Sequence, residues 1–213
     1  LSQGADVLET DLRFTKDGHV VLIHDETVDR TTDGHGLVSE LTLAELQAIP
    51  VKPVGRALGY QEHVPTLAEL VQLTRAQVPL LLELKDPLCE TRAGAEQLVA
   101  LLDDLALLTR CAIVSFNVAR IRMVKDVHPA LPIGQITVRN PLPLPRSELY
   151  GPFWPLLLLN PFYTIWAHRQ DGIVCPLDPN PEPRICLYLR LGVDSVLANH
   201  PGRVIDKMRT RME

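Results

Sequence analysis

Residues Gly4–Gly36 read "GADVLETDLRFTKDGHVVLIHDETVDRTTDGHG" and set two acids, Glu9 and Asp11, among Val, Leu and Phe. Side chains alternate across a strand, so Glu9 and Asp11 share one face while Leu8, Thr10 and Leu12 share the other. Two carboxylates about 7 Å apart on an apolar strand face repel each other and lose solvation. A positive group must compensate, and a hard divalent cation, Mg²⁺ or Ca²⁺, suits a set of oxygen ligands. Downstream, Lys16-Asp17-Gly18 marks a turn. With Asp17-Gly18 as a two-residue hairpin corner, Asp11 lies opposite His24, the Cβ atoms about 5 Å apart. Glu9, Asp11 and His24 then form one patch. The same residues also fit a plain hairpin with a solvated polar face.

A third acid stands in "VPLLLELKDP", Val78–Pro87, where Glu83 interrupts an apolar strand and Lys85 shares its face. The two read either as a structural ion pair at a strand end, or as a metal ligand beside a cation that binds an anionic substrate. Three carboxylates, a lysine and a histidine from separate strands suit phosphate-ester chemistry. The metal would offset phosphate charge, Lys85 would hold a non-bridging oxygen, and His24 would move a proton. The other histidines (His19, His35, His63, His128, His168 and His200) lie in turn, loop or helix-end settings and read as structural or solvated.

Outward from these stretches, β-like and helix-like runs alternate. Candidate strands are Ala5–Arg13, Val20–His24, Leu80–Lys85, Ala112–Phe116, Ile133–Val138, Gly172–Leu177 and Asp194–Ala198. "TLAE" at Thr42 and again at Thr66 has the pattern of a capping box that opens a helix. Glu96–Leu108, Ala119–Pro129 and Pro183–Gly192 carry further helical runs, the last stopped by its glycine. Such alternation means a parallel sheet with helices outside it. A (β/α)₈ barrel is the leading closed form, ahead of a doubly wound sheet, and residues 1–213 are expected to make one such domain. The count is one βα unit short at the front, and the chain begins with Leu1 rather than Met. One segment breaks the rhythm: "RNPLPLPRSELYGPFWP", Arg139–Pro155, reads as a rigid surface loop or a substrate-side lid.

Composition narrows the partners. A net charge of −5 with no basic stripe argues against nucleic acid. Cys89, Cys111, Cys175 and Cys186 are far apart, without the spacing of a zinc or disulfide framework. No apolar run reaches the roughly 18 residues of a membrane span; "FWPLLLLNPF" comes nearest and prolines interrupt it. A small-molecule substrate, a cytoplasmic location and at most peripheral contact with a membrane are therefore expected.

The ordered elements Gly-Ala-Asp, Glu-x-Asp, Thr-x-Asp-Gly, His-Asp and Arg-Thr-x-x-Gly in Gly4–Leu46 closely resemble the front of the glycerophosphodiester phosphodiesterase family. "VPTLAEL", "LLLELK", "VSFN" and "LGVDSVLANHPGRV" look like its later landmarks, in order. The resemblance implies a (β/α)₈ barrel that hydrolyses glycerophosphodiesters to sn-glycerol 3-phosphate and an alcohol. It implies that Glu9, Asp11 and Glu83 hold the divalent metal, that His24 is one acid/base histidine, and that Lys85 lies on the phosphate side. Two departures stand out. The family's opening His-Arg-Gly strand, with the other histidine, and its Pro-Glu-Asn-Thr segment would precede Leu1, which leaves the barrel without its first βα unit. Its late Trp-Thr-Val-Asn motif falls on Cys175–Asp178, which reads "CPLD". Phospholipase D-like cleavage of lysophospholipid or sphingolipid head groups, and a non-catalytic barrel that binds a phosphodiester or a protein, are the alternative functions.

Overall fold

The computed structural model describes residues 1–53, 62–75 and 77–212. Its sheet has seven strands: β1 (Leu8–Phe14), β2 (Val20–Leu22), β3 (Leu80–Leu84), β4 (Cys111–Ser115), β5 (Ile133–Thr137), β6 (Leu149–Pro152) and β7 (Ile173–Val174). They lie in the order β2-β1-β3-β4-β5-β6-β7. Only β1 and β2 run antiparallel; every other pair of neighbours is parallel. The architecture is a partial (β/α)₈ barrel.

The alternating pattern decides which face is which. Leu8, Leu12 and Phe14 of β1 and Leu80, Leu82 and Leu84 of β3 pack outward into a common core. Helix α3 (Arg92–Asp104) covers them through Leu98 and Leu102, both fully buried. Each such side chain contributes roughly 1.5–3 kcal/mol by leaving water. Thr91 starts α3 by accepting the amide of Gly94. A Cβ on Gly94 would sit 2.2 Å from the Leu88 carbonyl oxygen, so only glycine lets the helix approach the preceding 3₁₀ turn. The intervening odd positions of β1 and β3 point to the barrel interior. Both expected capping boxes are present, at the starts of α1 (Leu43–Gln47) and α2 (Leu67–Leu73). Helix α4 (Val118–Val127) follows β4, and α7 (Ile185–Leu191) ends on Gly192 at φ 70°.

Three expectations need correction. The hairpin does not close on two residues. Thr15 and His19 pair across a three-residue loop in which Gly18 takes φ 84°, and Asp17 is held by Thr15 Oγ1 at 2.7 Å and the Leu43 amide at 3.0 Å. The register moves by one: Leu12 faces Leu22, and the Ile23 amide, not His24, bonds to Asp11. A left-handed glycine after a turn is the usual closure of a three-residue hairpin.

Second, the proline-rich stretch is neither all loop nor all lid. Its second half contains β6, bonded to β5 and β7. Residues 138–148 join β5 to β6 without a helix, and Gly134 gives Leu149 the space that a Cβ would fill at 2.5 Å. After β6, "FWPLLLLNPF" breaks at Asn160-Pro161 into α5 (Trp154–Leu159) and α6 (Tyr163–His168). Third, Asp194–Ala198 forms no ladder. The Asp194 and Ser195 amides bond to the Val174 carbonyl, while the Asp194 carboxylate takes the Val174 amide at 2.7 Å. A side chain thus occupies the donor that a paired strand would need. Helix α8 (Pro201–Met212) closes the chain over the second core, built on Tyr150, Tyr163, Val174 and Tyr188.

Candidate active site

Parallel register sets Asp11 beside Glu83, with Glu9 one inward position back. One carboxylate oxygen from each of Glu9, Asp11 and Glu83 lies within 4.8 Å of the other two. Lys85 completes the group: its Nζ is 2.5 Å from Glu83 Oε1 and 3.4 Å from Asp11 Oδ1, and 5.4 Å from the centre of the Phe116 ring. Glu83, Lys85 and Phe116 stand at or just past the C-terminal ends of β3 and β4, the end on which barrel enzymes carry their chemistry, while Glu9 and Asp11 lie in the first half of β1.

The surroundings are largely apolar. Glu9 and Glu83 border a cavity of about 50 Å³ whose other walls include Leu81, Val114, Ile136 and Tyr150. Burial, reinforced by Asp11 and Glu83, pushes the Glu9 carboxyl up to about 7 despite Lys85. Burial also raises Glu83, with Lys85 opposing. Glu83 Oε1 is buried and, among the described residues, accepts no well-aligned hydrogen bond, close as the lysine is. Three carboxylates against one ammonium leave two negative charges when all are ionised. A divalent cation with oxygen ligands fits that deficit in charge and in ligand chemistry.

His24 lies just past β2 and is exposed. Its Nδ1 is 2.7 Å from Asp25 Oδ1, and Arg30 reaches the same carboxylate through Nε at 2.5 Å and Nη2 at 3.0 Å. Arg30, and then His24, hold the Asp25 carboxyl well below the usual range. An ionised carboxylate only accepts, so Nδ1 donates in this bond, and in the neutral ring Nε2 keeps the lone pair.

Two further residues escaped the reading of the sequence. Arg13 follows Glu9 and Asp11 on the inward face; its Nε donates to the His24 carbonyl at 3.1 Å and its Nη1 to the Lys85 carbonyl at 3.4 Å. Arg120 donates to the same Lys85 carbonyl at 2.7 Å and to Glu90. The period-2 pattern already sets Arg13 on the acid face; nothing local reveals its partners. Phe116 was visible as a strand end but not as the ring against Lys85. In "CPLD", Cys175 and Pro176 line the cavity beneath the acids, whereas Asp178 turns away and is tied to Arg184, Tyr188 and the Asn180 amide.

The model of the glycerophosphoryl diester phosphodiesterase family matches residues 1–151. The chain belongs to this family. Membership places it among phosphodiesterase enzymes. It is 31% identical to a glycerophosphodiester phosphodiesterase of Caldanaerobacter subterraneus subsp. tengcongensis, over 97% of this chain and 87% of that one. A glycerophosphodiester phosphodiesterase of Bacillus subtilis is 34% identical, over 92% of this chain and 74% of the relative. Among solved structures, a glycerophosphodiester phosphodiesterase from Parabacteroides distasonis superposes with a TM-score of 0.83 at 18% identity, covering 100% of this chain and 87% of that one. An Oleispira antarctica phosphodiesterase in complex with the product sn-glycerol-3-phosphate gives a TM-score of 0.76 at 20% identity, with 98% and 87% covered. Among the described residues, no helix is long and apolar enough to cross a membrane.

Proposed function

We propose that this chain hydrolyses glycerophosphodiesters to sn-glycerol 3-phosphate and an alcohol, in the cytoplasm, with a divalent cation held by Glu9, Asp11 and Glu83. The convergence of those three carboxylates within 4.8 Å, beside a single lysine, carries the reading. The names of the relatives support the substrate class, and the complex with sn-glycerol-3-phosphate supports the product.

Mg²⁺ or Ca²⁺, when bound, would neutralise part of the phosphate charge that grows during displacement at phosphorus. Lys85, stationed between Asp11 and Glu83, holds a non-bridging phosphate oxygen. His24 moves a proton through Nε2, while Asp25 holds the ring in the tautomer that leaves this nitrogen free. Arg13 fixes the backbone on which both His24 and Lys85 stand. The apolar wall around Glu9 and Glu83 limits water and strengthens each of these charge contacts.

Calorimetry with Mg²⁺ and Ca²⁺, together with hydrolysis of glycerophosphocholine, tests the proposal. Glu83→Gln should bind the cation at least about tenfold more weakly, as expected when one charged ligand is removed. His24→Ala should bind it normally and lose on the order of 10²–10⁴ in rate, the usual scale for one proton-transfer group. Unchanged affinity in Glu83→Gln would remove it from the metal site, and a fully active His24→Ala enzyme would end the proton-transfer role.

A further inference from the structure

Lys85 stands where strand β3 outruns its neighbour. The ladder between β3 and β4 ends at the pair Glu83 and Val114, and β4 itself ends at Ser115. On that side the carbonyls of Leu84 and Lys85 have no strand to bond to, and carbonyls withdrawn from water need donors. Side chains supply them. Ser115 Oγ donates to the Leu84 carbonyl at 2.8 Å. Arg120 Nη1 donates to the Lys85 carbonyl at 2.7 Å and reaches the Leu84 carbonyl at 3.3 Å. From the opposite side, the Leu12 carbonyl accepts the Lys85 amide at 3.2 Å.

Arg120 lies in the first turn of α4, where a cation opposes the helix dipole. Local preference therefore does not account for it, whereas its contacts do. Its Nε and Nη2 both donate to Glu90 Oε1, at 3.0 and 2.9 Å, and Asn117 Nδ2 donates to the same oxygen at 2.9 Å. With one edge of the planar guanidinium fixed there, Nη1 is aimed at the strand end. The Arg120 side chain is only 17% exposed. Glu90 closes the 3₁₀ turn that follows Lys85. Between them, Asp86 accepts the Phe14 amide at 3.0 Å and the Leu88 amide at 2.8 Å. The peptide of Lys85 is thus held from β1, from α4 and from its own loop.

We propose that Arg120 is a positioning residue, which fixes the backbone that aims the Lys85 ammonium at a phosphate oxygen. The ammonium ends a long flexible stem, so a small turn of its peptide moves it relative to Asp11, Glu83 and the substrate. A misplacement of about 1 Å can cost on the order of 10²-fold in rate. Arg13 meets the same carbonyl at 3.4 Å, so Arg120 at 2.7 Å makes the shorter contact. Arg120 acts through Lys85 and not on the substrate, because its Nε, Nη1 and Nη2 are all engaged by protein oxygens. The inference rests on the reading of Lys85 as the residue that holds phosphate.

Kinetics and spectroscopy test this separately. Arg120→Met should lower kcat/KM for glycerophosphocholine at least about tenfold, the scale of one lost hydrogen bond to a charged group, and Arg120→Lys should recover part of it. In a Lys85→Met background the same change should cost nothing further, because residues that act as a unit are not additive. Nitrogen NMR of the lysine ammonium groups follows Lys85 without any turnover, its signal identified by its loss in Lys85→Met. Arg120→Met should shift that signal. The signal of Lys125, on the same helix and bonded to the Leu131 carbonyl and Glu148, should stay in place. Should Arg120→Met not fold, Glu90→Gln, which loosens the guanidinium, should shift the Lys85 signal in the same direction by less. A full further loss in the double variant, an unmoved Lys85 signal, or a Lys125 signal that moves with it would each overturn the proposal, the last by revealing a displaced helix. A parent enzyme that leaves glycerophosphocholine intact would instead end the phosphodiesterase reading, with the ammonium signal still deciding what Arg120 does to Lys85.

Discussion

Asp178 and the Glu9–Asp11–Glu83 group are both carboxylates withdrawn from water, yet their surroundings treat them oppositely. Asp178 is 2% exposed and accepts from Arg184 Nε and Nη2, each at 2.6 Å, from the Tyr188 hydroxyl and from the Asn180 amide at 3.0 Å. Burial pushes its carboxyl up, but Arg184 and Tyr188 more than reverse that and hold it below the usual range. Arg184 in turn stacks on Trp154, with 4.3 Å between guanidinium and ring centre. Among the described residues Glu9 has no comparable set of donors, and burial beside two other acids lifts it to about 7. A buried acid whose lone pairs are filled by the protein is a fastener. One left short of positive charge is prepared for something from outside.

The largest effect is expected at the fastener. Asp178→Ala strands Arg184 and Tyr188, and breaking a buried charged pair from one side costs about 3–5 kcal/mol. Urea unfolding should show that loss, while the cation affinity of the folded protein stays unchanged. If the variant keeps its stability and loses the cation, the assignment of the two centres is reversed.

Next comes Lys85→Met, which removes the ammonium from between Asp11 and Glu83. The value of kcat/KM for glycerophosphocholine should fall on the order of 10²-fold, the scale for removing one charged contact to a phosphoryl group. Cation affinity should not fall, because the lysine competes for the same oxygens. A drop in cation affinity with kinetics intact would make Lys85 a structural support of the acids.

A smaller effect separates the two centres by pH. In chelator, Glu9 binds its proton more tightly folded than unfolded. Its contribution is therefore full below the unfolded value, near 4.5, and disappears as pH rises through about 7. The thermal midpoint of the chelated protein should decline across that window, and Mg²⁺ at the alkaline end should restore it. A midpoint that rises with pH in chelator would mean that the acids are already compensated.

Arg13→Met should have the smallest consequence, about tenfold in kcat, because a neutral side chain can no longer bridge the carbonyls of His24 and Lys85. Partial recovery in Arg13→Lys, with cation affinity constant throughout, would distinguish positioning from a contact with phosphate.

Much of this was written locally. Period-2 alternation in Leu8–Phe14 and Leu80–Leu84 is enough to set Glu9, Asp11 and Glu83 on inward faces, and Thr42 and Thr66 announce their helices through four-residue patterns. Such features depend on neighbours in sequence, so they survive without knowledge of the fold. Register does not. Whether Gly18 closes a two- or a three-residue loop changes the residue opposite Asp11, and the tether from Asp17 to Leu43 that accompanies the longer loop spans 26 residues. Strand β6 lay hidden because its four residues, Leu149–Pro152, have too little alternation to outweigh the prolines around them; pairing with β5 and β7 supplies what propensity lacks. Asp194 looked like part of a strand, yet its carboxylate takes the edge amide of β7. Sequence alone determined which side chains could share a face. Tertiary packing decided which acids would find their partners inside the chain, because those donors come from strands and helices whose meeting depends on non-local contacts.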